Sequence, residues 1–308
     1  MKNILLTPSF ENFTIKDLKL NKFENVISYK YSVCKPELSI NMDDSILSSN
    51  KNIYYIFDCP GLDAFAHWFY ESFIFYKNII ELTKIYPTIK ILTNNKKKYV
   101  KSLLKLFNIS NEIVYHDTDY LIEKVIPNNN NICFFSKILS LNDPNIDLIY
   151  YEKLINEIIV DINNKIPVSL SNNILLLPRN KVDNYASNDR ILFGIEDIEK
   201  NIIELGGIVL DTYNLNNFYY QFMIIKNSNI IILDFGSSYL VNAIFLKNKK
   251  IIILNNYGWY EWQTREFIAI KIICDIIMKN NTVIIIGSKD YDAHYIDFLD
   301  INQHVIIE

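Results

Sequence analysis

An α/β fold, two Rossmann-like domains with a cleft between them, is predicted by three features of the sequence. Short apolar runs of strand length alternate along the chain with longer amphipathic runs, the grammar of parallel sheets covered by helices on both faces. The 308 residues exceed the usual size of one domain, and 50% are hydrophobic, which is material for two cores. A polar stretch with helix breakers, residues 163–173, interrupts the alternation and reads as a linker. The boundary is placed there, giving an N-terminal domain of residues 1–167 and a C-terminal domain of residues 168–308.

Composition narrows the partners. The net charge is -4 and the pI about 5.7, and the longest basic run is Lys96-Lys97-Lys98, so nucleic acid is not expected as a partner. Cys34, Cys59, Cys133 and Cys274 have no paired spacing, which suggests neither a zinc knuckle nor a redox pair but thiols kept reduced. The apolar part of the first eight residues is too short for a signal peptide and reads as a first strand. Lys271 and Asp275 break the longest apolar stretch, residues 267–278. No transmembrane segment is expected, only peripheral membrane contact at most, and the cytoplasm is the expected location.

In the first half, residues 52–57 form an apolar strand, and Asp58-Cys59-Pro60-Gly61 turns the chain into a helix beginning near residue 62 or 63. Asp63, His67 and Glu71 recur every four residues and share one face of that helix, while Phe65, Trp68, Phe69, Phe73 and Tyr76 supply an aromatic face. Strands at 89–93, 112–115 and 132–135, and helices at 97–108 and 150–163, complete the domain.

The second half opens with Ile174-Leu175-Leu176-Leu177-Pro178-Arg179, an apolar strand that ends on a cation. A helix over 196–205 closes at Gly206-Gly207, and strands follow at 208–210, 229–233 and 250–254. Between the last two lies Gly236-Ser237-Ser238, a small-residue bend leading into a helix over 238–245. A long helix over 261–278, a strand over 282–286 and a short helix over 291–300 finish the chain. In open parallel sheets ligands bind beyond the carboxyl ends of the strands, where Arg179 and the Gly236 bend fall.

Of the 31 basic residues only Arg179, Arg190 and Arg265 are Arg, in a background where Lys is the default cation. A guanidinium grips phosphate or carboxylate in two places, and two of the three lie within twelve positions of each other. Phosphate is therefore the expected ligand of Arg179 and Arg190, with a structural ion pair as the alternative. The Gly236-Ser237-Ser238 bend offers backbone N–H groups to the same anion, and Asn242 would bond the loop or the ligand, with a purely structural Asn as the equal alternative. The His67–Glu71 pair suits proton transfer, since a carboxylate one turn away orients an imidazole and raises its basicity; a surface ion pair is the plainer alternative. No third ligand lies at a recognisable spacing, so no metal is expected. Gly-x-Gly-x-x-Gly, Walker and Gly-x-Ser-x-Gly signatures are all lacking.

These blocks resemble a family. Ala64-Phe65-Ala66-His67-Trp68-Phe69-Tyr70-Glu71 is similar to the Asn-Tyr-Phe-His-Trp-Leu-x-Asp/Glu block of the family 61 glycosyltransferases. Leu177-Pro178-Arg179 and Arg190-Ile191-Leu192 with Glu196-Asp197 resemble that family's strand-end Arg and Arg-x-Ile-x-Asn-Glu stretch. Gln221 falls in a segment like its Ser-Phe-x-x-Gln helix start. Gly236-Ser237-Ser238 and Asn242-Ala243-Ile244-Phe245 resemble its His-Gly-Ala-Gly-Leu-x-Asn-x-x-Phe signature. Phe235 stands where the family carries His, and Ala64 where it carries Asn, with Asp63 the nearest polar substitute.

The likeness implies a GT-B architecture and metal-independent, inverting transfer of a sugar from a nucleotide-diphosphate donor, a UDP-sugar, to a glycan hydroxyl, with no separate cofactor. The setting it implies is polysaccharide or surface-glycan assembly in a bacterial or viral-host cytoplasm. On this reading the second domain holds the donor through Arg179, Arg190 and the 236–238 bend. The first holds the acceptor, with Glu71 as base and His67 orienting or replacing it. Two alternatives stand beside it: a polysaccharide pyruvyl or phosphate transferase of similar shape, and a catalytically silent carbohydrate-binding assembly subunit.

Overall fold

The structure, a computed structural model, describes residues 4–6, 52–57, 65–93, 95–116, 131–135, 148–169, 173–178, 194–212, 217–234, 236–254, 268–286 and 298–305. It divides into two compact units, residues 1–140 and 141–308. Both are α/β units built on parallel strands, compatible with a Rossmann-like fold.

The first unit holds β1 (Ile4–Leu6), β2 (Asn52–Ile56), β3 (Lys90–Thr93), β4 (Ile113–Tyr115) and β5 (Asn131–Phe135), all parallel, in the order β1-β5-β2-β3-β4. A parallel sheet is covered on both faces, and Ile91 and Leu92, which point to opposite faces of β3, are both fully buried. The chain moves outward from β2 through β3 to β4 and then returns to lay β5 on the other side of β2. Strand order thus reverses between β2 and β5, the place where open α/β sheets take ligands.

The segment after β2 enters that edge. It begins as a short helix, α1 (Phe65–His67), passes through a π-helical turn (Trp68–Ser72) and a 3₁₀ turn (Phe73–Phe75), and becomes regular only in α2 (Tyr76–Ile85). The sequence predicts one uninterrupted helix here. The departure lies where the aromatic side chains are densest. Phe73 packs within 5.1 to 5.5 Å of the rings of Trp68, Phe69, Tyr76 and Phe107. After β3 comes α3 (Lys98–Leu106), whose Val100, Leu103 and Leu104 are buried while Lys98, Lys101 and Lys105 face solvent, the spacing of an amphipathic helix.

The second unit contains α4 (Leu148–Lys165), β6 (Asn173–Leu177), α5 (Ile195–Glu204), β7 (Ile208–Val209), α6 (Phe218–Asn227), β8 (Ser228–Asp234), α7 (Ser237–Asn242), β9 (Lys250–Leu254), α8 (Ile268–Asn280), β10 (Thr282–Ile286) and α9 (Phe298–Val305). Its strands are all parallel in the order β10-β9-β8-β6-β7. Counted within the unit this is the doubly wound order 2-1-3-4-5, with its reversal between β6 and β8.

Strand residues alternate between two cores. Ile174, Leu176, Ile230, Ile232, Ile252 and Leu254 pack with Ile198 and Ile202 of α5 and Ile301 and Val305 of α9. Their neighbours Leu175, Ile231, Leu233, Ile251 and Ile253 are equally buried and point to the opposite face. There α6 and α7 lie against β8, and α4 packs on α8.

Helix α5 ends in a Schellman motif, with Gly206 N–H donating to Ile203 O at 2.9 Å and Gly207 N–H to Ile202 O at 2.8 Å. Gly206 has φ +75°, and a Cβ on Gly207 would lie 2.9 Å from Ile202 O and 3.0 Å from Ile174 O. One glycine supplies a left-handed conformation, and the other lets the helix end touch β6.

The expected linker is anchored within this unit. Helix α4 runs on to Lys165, and Ile166 is buried. Lys226 Nζ donates to the carbonyls of Asn163 at 2.9 Å and Ile166 at 2.6 Å, so an ammonium caps the helix's negative end. Asn163 Nδ2 donates to Phe245 O at 3.1 Å, and Ser169 N–H to Asn227 Oδ1 at 2.5 Å. The contact-based division falls at residue 140, so α4 groups with the second unit, whereas the sequence reading divided the chain near 168. The last helix continues to Val305, five residues past its expected end at 300. Its α5-facing residues Ile301 and Val305 show why: they close the core.

Candidate functional site

His67 and Glu71 are brought together. His67 Nδ1 lies 2.9 Å from Glu71 Oε1, across the start of the π-helical turn. An ionised carboxylate only accepts, so Nδ1 donates and Nε2 is left as the acceptor of the neutral ring. The two differ in access: the Glu71 side chain is 2% exposed and that of His67 29%. The hydrogen bond that His67 donates to Glu71 holds the imidazole pKa above its ordinary value of 6.5, with burial opposing and the carboxylate charge assisting. The arrangement is a carboxylate that orients and an imidazole that can exchange a proton. Asp63, the third residue expected on this face, lies outside the described residues.

The same carboxyl edge carries polar residues that the sequence reading did not select. Thr93, at the end of β3, donates through Oγ1 to Phe57 O at 2.8 Å and accepts from Asn95 N–H at 3.2 Å. His116 N–H, just past β4, donates to Thr93 O at 3.1 Å. Asn95 Nδ2 donates to the Tyr99 hydroxyl at 2.8 Å, and Asn95 Oδ1 accepts from Lys97 N–H at 3.0 Å. Thr93, Asn95 and His116 are all buried. Together they lash the ends of β2, β3 and β4. The signal that could have found them is a polar residue directly after an apolar strand, as in Leu92-Thr93 and Tyr115-His116.

At the carboxyl edge of the second sheet β8 ends on buried Asp234, and α7 starts at Ser237 behind Gly236, whose φ of 132° and ψ of -146° favour glycine. Helix α7 is shorter than expected, ending at Asn242 instead of 245. Asn242 is buried, and its Oδ1 accepts from Gln221 Nε2 of α6 at 2.8 Å, a fully enclosed bond. This bond ties α7 to α6 within the unit. Ser237 and Ser238 form the first turn of α7. Arg179, Arg190 and Phe235 lie outside the described residues.

Among the described residues no group of three His, Cys, Asp or Glu lies close enough to hold a metal ion, and no helix is long and apolar enough to cross a membrane. Compared with known proteins, the chain matches no family model and no curated sequence. Fold and geometry define an α/β protein with two parallel-sheet units. The first unit's edge carries a buried carboxylate and a reachable imidazole, and the second unit's edge carries a glycine-dependent bend.

Proposed function

We propose that the protein is an inverting glycosyltransferase of the GT-B class, akin to family 61, that moves a sugar from a UDP-sugar to a glycan hydroxyl in polysaccharide or surface-glycan assembly in the cytoplasm. The observation that carries this reading is the His67–Glu71 pair, 2.9 Å apart, following the strand at which the first sheet reverses its order. The first unit binds the acceptor. His67 Nε2 takes the proton of the attacking hydroxyl, whose oxygen forms the new bond to the anomeric carbon as the nucleotide diphosphate departs with the old bonding pair. Glu71 holds the ring in the tautomer that leaves Nε2 free and balances the imidazolium that results. The greater exposure of His67 supports this assignment over Glu71 as the base, the role the sequence alone favours.

The second unit binds the donor. Backbone N–H groups at the Gly236-Ser237-Ser238 bend, with Arg179 and Arg190, meet the charge that develops on the leaving diphosphate, the largest electrostatic demand of such a step. Neutralising it with N–H groups and guanidinium forks requires no metal.

The test is release of UDP from a UDP-sugar in the presence of glycan acceptors, with His67→Ala beside the wild type. A general base contributes about 10²–10⁴-fold, so turnover should fall by that order while UDP binding persists. Undiminished turnover in His67→Ala would end the assignment. Thermal stabilisation by phosphoenolpyruvate but by no nucleotide would move the protein to the pyruvyl transferases.

A further inference from the structure

Helix α6 descends from the end of β7 to the start of β8, so its first turn stands at the carboxyl edge of the second sheet. That turn shows solvent two adjacent aromatic side chains, Tyr219 and Tyr220, exposed to 39% and 53%. Their rings meet at 84° with centroids 5.8 Å apart, forming a corner with a floor and a wall. The corner is built on a fixed base. Asn217 Oδ1 accepts from the N–H of Tyr219 at 3.1 Å and of Tyr220 at 3.4 Å, capping the helix beneath both residues. On the inner side Phe218 packs on Phe222 at 5.3 Å, and Phe222 on Phe245 at 4.6 Å. The next residue, Gln221, bonds Asn242 and so ties the turn to the helix that starts at Gly236.

Exposed aromatic faces on a rigid turn, at the edge where a sheet of this order takes its ligand, suit a flat ring. We propose that Tyr219 and Tyr220 are the nucleobase subsite of the donor: the base stacks on one ring, and the other closes the corner edge-on. The proposal rests on the nucleotide-sugar reading above. It adds a contact that the Gly236 bend cannot supply, because backbone N–H groups recognise the diphosphate and are blind to the base.

The experiment is calorimetric titration of the full chain with UDP, with inorganic pyrophosphate and with a glycan acceptor, for the wild type, Tyr219→Ala, Tyr220→Ala and the two Tyr→Phe variants. Stacking on an aromatic side chain predicts a loss of UDP affinity on the order of tenfold in the Ala variants. Pyrophosphate affinity should be unchanged, and the Phe variants should bind like the wild type. An unchanged melting temperature shows that each variant is folded. UDP binding equal to wild type in both Ala variants overturns the subsite and leaves the nucleotide reading standing. A wild type that binds no nucleoside diphosphate overturns both. Loss of acceptor affinity alone assigns the corner to a sugar ring and overturns the nucleobase proposal.

Discussion

The carboxyl edges of the two sheets are made from the same fold grammar and solve opposite problems. At the first edge, ionisable groups are taken out of water: Glu71 and His116 are buried, and the helix holding Glu71 gives up regular geometry for a π-helical and then a 3₁₀ turn. The second edge also buries a carboxylate, Asp234 at the end of β8, but its described helices stay regular, and its further specialisation lies in the backbone, at one glycine in a conformation other residues avoid, and in a neutral Gln221–Asn242 bond. Desolvating a carboxylate is costly unless it is paired, so the first edge depends on side chains. The second depends on a backbone conformation that glycine adopts without strain. The difference teaches that a shared architecture leaves the chemistry to the few residues at each strand's end.

The contrast can be broken most forcefully in the aromatic packing behind Glu71. Phe73 is fully buried and touches four rings within 5.5 Å, so Phe73→Ala should cost about 3–5 kcal/mol, read by denaturant unfolding. The same variant should lose the His67–Glu71 bond and leave UDP binding intact; equal loss of both would show that the two edges are not independent. On the other side, Gly236→Ala places a Cβ at φ 132°, ψ -146° and should cost about 1–3 kcal/mol. It should weaken UDP binding while the titration of His67 stays as in the wild type.

A smaller effect probes the lashing at the first edge. Thr93→Val leaves Phe57 O without its hydroxyl donor in a buried setting, a loss of about 1–3 kcal/mol. Thr93→Ser keeps the hydroxyl and should restore most of it. A Val variant as stable as the wild type would show that the bond contributes nothing.

The regular parts of the molecule were legible because period reveals burial. Residues 250–254 and 282–286 are strands with the expected bounds, and Gly206-Gly207 closes α5 as expected, since continuous Ile runs and paired glycines each have one cheap structural use. The irregular helix at 68–75 was not legible: four-residue spacing put His67 and Glu71 on one face, but the π-helical and 3₁₀ turns coincide with rings of Phe57, Tyr99 and Phe107 packed against Trp68 and Phe73, contacts that helix spacing does not show. Anchoring of residues 163–169 was hidden for the same reason. Nothing in a polar Asn-rich stretch announces that Lys226, some sixty positions away, will cap its carbonyls. For Thr93 and His116 the only mark in the sequence is a polar residue closing an apolar run, and their bonds to neighbouring strand ends emerge only once the strands lie side by side.

The finest distinction between the two edges is their response to pH. Glu71 raises the pKa of His67 above 6.5, so the pair's contribution to stability is fully present below 6.5 and is lost as pH rises through the raised value. Catalysis runs the other way, because a base must be unprotonated: turnover should climb with pH through that same raised value. Glu71→Gln removes the carboxylate and leaves only burial, which lowers the pKa, so the acid limb of the pH–rate profile should move to lower pH while its plateau falls. Nuclear magnetic resonance titration of the His67 ring should show the same displacement. An acid limb unmoved by Glu71→Gln, with the ring titration displaced, would mean that His67 is not the group whose proton limits the reaction, and the base would have to be sought among the other polar residues of the same edge.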